Sequence, residues 1–114
     1  MGYAEIAERS LRSGQREEFD GDVVLIGQLN DGAEILAGGN VTVLGRLKGC
    51  VHAGRKNEGR SYIIAASFES QQVRIGDRLC TLNSAGMEWW KKSVIITLEE
   101  NEFLFREWKL ESGN

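Results

Sequence analysis

The chain of 114 residues contains no proline, one histidine and two cysteines. Without proline no turn is preset by a pyrrolidine ring, so sharp reversals fall to glycine, asparagine and aspartate. Cys50 and Cys80 form no C-x-x-C pair, and with His52 alone beside them they fall short of a zinc set or a disulfide framework. The thiols therefore read as reduced, which fits a cytoplasmic setting. No apolar run approaches the ~20 residues of a membrane span. The start MGYAEIAERS has acidic residues where a secretion leader would be apolar. A net charge of −3 and a pI near 5.2 exclude nucleic-acid binding driven by bulk positive charge. With 27% charged and 41% hydrophobic residues, the composition is that of one globular domain with a modest core.

What is abundant is glycine, with 14 residues. Gly21, Gly27, Gly32 and Gly38 recur as Gly39, Gly45, Gly49 and Gly54, at spacings of 18, 18, 17 and 16. Short β-branched runs fill the gaps: GDVVLIGQLNDGAEILAG, then GNVTVLGRLKGCVHAG. So short a period predicts an all-β fold, a β-solenoid of stacked coils. The first coil takes strand pieces at 23–26, 29 and 33–37, and the second at 41–44, 47 and 50–53. A third, less regular coil is SYIIAASFESQQVRIG at 61–76, aligned with Tyr62 over Val41, Ile64 over Val43, Phe68 over Leu47 and Ile75 over Ala53. RKNEGR at 55–60 reads as a polar loop. Residues 1–10 read as an arm or linker, with a short helix or arm over 4–11, and 11–114 as the solenoid domain. Residues 77–93 carry no repeat. VIITL at 94–98 and FLFREW at 103–108 predict a hairpin that caps the open end, with Trp89 and Trp90 packed into the cap.

Strand side chains alternate between faces. Under this alignment the outward column of the first face is Val24, Ile26, Thr42, Leu44, Ile63 and Ala65. Only Thr42 is polar, and an outward apolar face reads as an interface. The second face, with Glu34, Leu36, Cys50, His52 and Arg74, is mixed. Catalytic chemistry is missing. Cys50 and His52 stand two apart on one strand with no third group to orient them. AGGN at 37–40 lacks the GK[ST] of a phosphate loop, and Glu17, Glu18, Asp20 and Asp22 lack the spacing of a calcium loop. The expectation is a binding module with no enzymatic activity, metal or cofactor.

The pieces LRSGQ (11–15), GDVVLIG (21–27), GAEILAGGNVTVLGRLKG (32–49), HAG (52–54) and VRIGDRL (73–79), in that order, resemble the C-terminal domain of MinC, the bacterial septum site-determining protein family. The resemblance covers about residues 10–110. It implies a short right-handed β-helix of triangular section that homodimerises through one face. It implies docking on MinD, a membrane-associated ATPase, through Arg12, Ser13, Gly14 and Gln15, so that membrane contact is indirect and at the inner face. The outward column above becomes the dimer interface. The family's job is to inhibit division-septum assembly by acting on FtsZ, and Arg46 and Lys48 lie in the stretch linked to the FtsZ tail. This chain departs from the family at Cys50, where a second basic residue is frequent, and at Glu17, where an apolar one is. Glu17 falls in the first, incomplete coil, where a core position can stay wet. The resemblance adds no nucleic-acid partner. A second reading is a self-assembling β-solenoid scaffold of the bactofilin type, which the capping hairpin opposes.

Overall fold

The structure, a computed structural model, describes residues 4–83 and 87–109. Eleven strands follow in chain order: β1 (Ala4–Ala7), β2 (Arg16–Phe19), β3 (Asp22–Leu25), β4 (Glu34–Ala37), β5 (Val41–Leu47), β6 (Cys50–Ala53), β7 (Tyr62–Phe68), β8 (Gln72–Ile75), β9 (Arg78–Thr81), β10 (Val94–Glu99) and β11 (Glu102–Glu107). They build two sheets. The first runs β1-β3-β5-β7-β10-β11 and the second β2-β4-β6-β8-β9. A third side has no extended ladder. It is a column of single bridges, Leu11 to Leu29 and Leu29 to Leu47. The section is thus triangular and the fold a β-helix.

The 18-residue period sets the register. Val23 pairs with Val41 and Ile35 with Val51, each side chain directly above its equivalent in the coil below. Inward columns of Val, Leu, Ile and Ala form one continuous core from Ala7 to Ile96. Glycine sits where coils come closest. A Cβ at Gly38 would overlap the Asp20 carbonyl oxygen, so only a residue without a side chain fits that corner. Another corner is stitched by side chains: the Asn40 N–H donates to Asp22 Oδ1 at 2.7 Å, and Asn40 Oδ1 accepts from the Tyr62 N–H at 2.9 Å.

The repeat begins earlier than its glycines suggest. Residues 4–7 are neither helix nor detached arm; they form β1, parallel to β3, with Ile6 beside Val24 and Ala7 beside Leu25. Four coils therefore stack, not three. A short segment with good helix propensity lies down as a strand when a ready-made parallel edge satisfies its backbone. In this first coil Glu17 takes the column of Ile35 but stays half-exposed and pairs with Arg9, whose guanidinium also donates to it from Nε at 3.1 Å. An ion pair thereby stands at the end of the core column.

A second departure concerns β7. The register is Val41 to Ile63, Thr42 to Ile64 and Val43 to Ala65, then Arg46 to Ser67 and Leu47 to Phe68. β5 spends one more residue than β7 between these two stretches, at a β-bulge. The offset is thus 22 residues before the bulge and 21 after it. Matching Phe68 to Leu47 imposes 21 on the whole strand and misplaces Tyr62 and Ile64 by one residue, which reverses inside and outside.

The far end closes differently. At Gly76 and Asp77 the chain turns back, so β9 pairs antiparallel to β8, and β10 pairs antiparallel to β7. β9 falls in the stretch where no repeat is visible. Trp89 and Phe105 stack at 4.6 Å with 8° between their planes, and both meet Phe68 edge-on at 5.3 and 5.8 Å. Trp89 is buried and Trp90 half-buried.

Candidate protein-docking surfaces

The turn Arg12–Gln15 leads into β2 on the outermost coil. The Gln15 N–H donates to the Arg12 carbonyl at 2.9 Å, and Gly14 has φ +88°, as the third residue of a type II turn requires. The same turn recurs one coil on: the Ala33 N–H donates to the Asn30 carbonyl at 3.0 Å, and Gly32 has φ +83°. The two turns stack through the Gly14 N–H on the Gly32 carbonyl at 2.9 Å. Below, a Cβ at Gly32 would run into Ser13; above, a Cβ at Gly14 would meet nothing within 4 Å. All four residues of the turn are exposed. Gln15 Oε1 accepts from the Arg12 N–H at 2.5 Å, which braces the loop while the Arg12 guanidinium has no partner among the described residues. The result is a preorganised donor group on an open end of the molecule.

The first sheet presents an apolar outer face. Val24, Ile26, Thr42 and Leu44 lie on it as expected, and Leu44 is 47% exposed. Ile63 and Ala65 do not: both are 0% exposed, in the core columns under Val41 and Val43. The bulge moves the outward column of β7 to Ile64 and Ala66, with Tyr62 beyond. β1 and the β10–β11 hairpin lengthen the face, adding Ile6, Ile95, Thr97 and Leu104 and ending at Arg106. The alternation in VIITL and FLFREW carries the signal for the hairpin part. The part from Ile6 depends on β1 being a strand.

Arg46 and Lys48 lie on the third side and differ in availability. The Arg46 guanidinium grips Glu69 with two hydrogen bonds of 2.7 Å, and the Ser67 hydroxyl donates to the same carboxylate at 3.0 Å. Arg46, with help from Ser67, holds the Glu69 carboxyl down to about 2, against the desolvation that would raise it. Glu69 therefore contributes stability that is complete above about pH 4.5 and fades as the pH falls towards 2. The Glu69→Gln variant is expected to lose about 1–2 kcal/mol at neutral pH, discounted for the half-exposed Arg46. Its urea midpoint should vary less than the parent's between pH 5 and 2. An unchanged pH profile would show that the pair contributes nothing.

On the second sheet, Cys50 and His52 face outward on β6. The imidazole Nε2 is held at 2.7 Å by the Gly76 carbonyl. Burial, joined by Arg74 and Arg55, pushes the imidazole down in pKa, while burial and the nearby Glu34 and Asp31 push the Cys50 thiol up. A thiol so shifted is a poor nucleophile at neutral pH. Among the described residues, no group of three or more His, Cys, Asp or Glu side chains could hold a metal ion, and no helix is long and apolar enough to cross a membrane.

A braced polar turn at one end and an apolar sheet face along one side define a β-helical protein-docking domain. A family model described as septum formation inhibitor MinC, C-terminal domain, matches residues 5–108. The probable septum site-determining protein MinC of Persephonella marina is 45% identical over 74 residues, 65% of this chain and 37% of that protein. Its counterpart from Aquifex aeolicus is 41% identical over 80 residues, 70% of this chain and 40% of that protein. A chain of the MinC:MinD cell division protein complex of Aquifex aeolicus matches with a TM-score of 0.86 at 31% identity, over 98% of this chain and 90% of that one. This chain belongs to the MinC family, as a C-terminal domain. It spans less than half the length of the curated relatives it matches.

Proposed function

We propose that this domain is the docking and dimerisation module of a septum-site regulator. The turn Arg12–Gln15 binds MinD, and the outer face of the first sheet pairs two copies. MinD brings the pair from the cytoplasm to the membrane's inner face, and with it the inhibition of FtsZ assembly. The observation that carries the reading is the RSGQ turn, intact, braced by its own glutamine and fully exposed on the outermost coil. A fork of five donors on Arg12 suits a carboxylate or carbonyl cluster on a partner. Likeness to a chain of a MinC:MinD complex supports the partner's identity. Pairing through a self-complementary sheet face is the commonest symmetry of soluble homo-oligomers. End-to-end stacking into a scaffold is opposed at both ends, by the Arg9–Glu17 pair and by the two antiparallel hairpins.

The test is co-sedimentation of the chain with MinD, ATP and liposomes. The Arg12→Ala variant should bind at least about tenfold more weakly, because a central arginine anchor carries a large share of binding energy. Its thermal midpoint should stay within a degree or two of the parent's, since the guanidinium supports nothing in the fold. Parent-like binding by this variant would remove the turn from the interface.

A further inference from the structure

We infer that the docking surface does not end at the Arg12–Gln15 turn but continues along the same corner of the β-helix as a strip formed by Asp31, Lys48, Gln71 and Trp90, which takes a charge-complementary segment of the same partner. The inference rests on the reading proposed above and adds new contact residues to it. The stacking of coils places the strip. Leu11, Leu29, Leu47 and Phe68 succeed one another on the third side, so the residues that follow them, Arg12, Asn30, Lys48 and Glu69, form one column. Ser13 and Asp31 lie beside it. With strands about 4.8 Å apart, Lys48 is roughly 10 Å along the axis from Arg12.

Asp31, Lys48, Gln71, Gln72 and Trp90 line a single cleft of about 330 Å³. Its floor is rigid. The Ser70 hydroxyl donates to the Gly49 carbonyl at 2.7 Å and accepts from the Gln72 N–H at 3.2 Å, while Arg46 locks Glu69. The rim is free. Among the described residues, the side chains of Asp31, Lys48 and Gln71 and the indole N–H of Trp90 make no hydrogen bond or ion pair within the chain. The coil edges behave otherwise: Arg9 pairs with Glu17, Arg16 with Glu34, Arg55 with Glu18 and Lys56 with Asp20. Asp31 and Lys48 line one cleft with opposite charges and do not meet.

The order of charges along the corner is positive at Arg12, negative at Asp31 and positive at Lys48. A matching segment carries carboxylates opposite Arg12 and Lys48 and a cationic group or N–H donor opposite Asp31. An apolar side chain on it would rest against Trp90, whose half-buried indole offers both a face and a donor. Such alternation fixes the register of docking and rejects a partner shifted by one coil, because like charges would then oppose each other.

The test measures binding of purified MinD with ATP to the parent chain and to Arg12→Ala, Lys48→Glu, Lys48→Met and Asp31→Lys, at two salt concentrations. Lys48→Met keeps the aliphatic stem, so it separates charge from packing. The expected result is a loss of at least about tenfold for Lys48→Glu and Asp31→Lys, a smaller loss for Lys48→Met, and less salt dependence in each Lys48 variant. If Arg12→Ala loses binding while both charge reversals bind as the parent does, the turn stands and the strip is overturned. If the parent itself does not bind MinD, the underlying reading falls first. Circular dichroism of each variant shows whether the fold is intact. Should a reversal unfold the chain, Lys48→Met decides alone.

Discussion

Replacing Phe68 with alanine is expected to cost about 3–5 kcal/mol of folding stability, the range for emptying a large aromatic site in a core. Phe68 is fully buried and receives both Trp89 and Phe105 edge-on, so its removal takes the shared partner from a three-ring cluster. The backbone around it is pinned on both sides: the Phe68 N–H donates to the Lys92 carbonyl at 3.0 Å, and its carbonyl accepts from the Lys91 N–H at 2.8 Å. The walls are ladder strands and cannot slide inward to refill the space. A urea titration followed by tryptophan fluorescence would read the loss and, through Trp89, report where it occurs. A cost below about 1 kcal/mol would mean that the closing segment is not held by the cluster.

The second large effect concerns assembly. Leu44 is 47% exposed in the isolated chain and stands on the apolar face between Ile26 and Ala66. Leu44→Glu should leave the monomer fold almost untouched, since a half-exposed carboxylate there can reach water. In a face-to-face pair the same carboxylate would be buried twice without a partner. That penalty of several kcal/mol per charge should shift the dimer constant by at least about a hundredfold. Sedimentation equilibrium at tens of micromolar should find a dimer for the parent and a monomer for the variant. Ala65→Glu separates the two possible locations of the surface. Ala65 belongs to the core, so its loss should appear as unfolding rather than as a folded monomer. A Leu44→Glu variant that sediments as the parent does would move the interface elsewhere.

Most of the fold is legible because an 18-residue glycine period constrains every position at once: knowing that Val23 faces inward settles Val41, and Ile35 settles Val51. The turn at Arg12–Gln15 is legible for the same reason, being the stack-mate of residues 30–33. What escapes is whatever breaks the period. A bulge adds one residue to β5, and composition does not reveal which of Leu44, Gly45 and Arg46 lies opposite the shorter partner; Ile63 and Ala65 consequently change sides with Ile64 and Ala66. β1 escapes because its four residues carry no glycine mark and favour helix taken alone. β9 escapes because it is exposed on both faces, Cys80 being its one partly buried residue, and an edge strand of that kind has no hydrophobic alternation to read. The cleft at Lys48 shows in the sequence only as a lysine near a turn. That its charge has no mate is a property of the three-dimensional neighbours.

The Arg9–Glu17 pair has a bearing on how the molecule comes apart. A β-helix is a one-dimensional stack in which each coil is held only by its neighbours, so unfolding starts at whichever end is weaker. One terminus is knitted by two hairpins and three aromatic rings. The other is closed by an ion pair in contact with solvent and by two four-residue edge strands. Fraying is therefore polarised, and the coil that opens most often is the one that displays Arg12. A partner that binds there also clamps the loose end, and through it the whole stack, so that recognition and rigidity are linked.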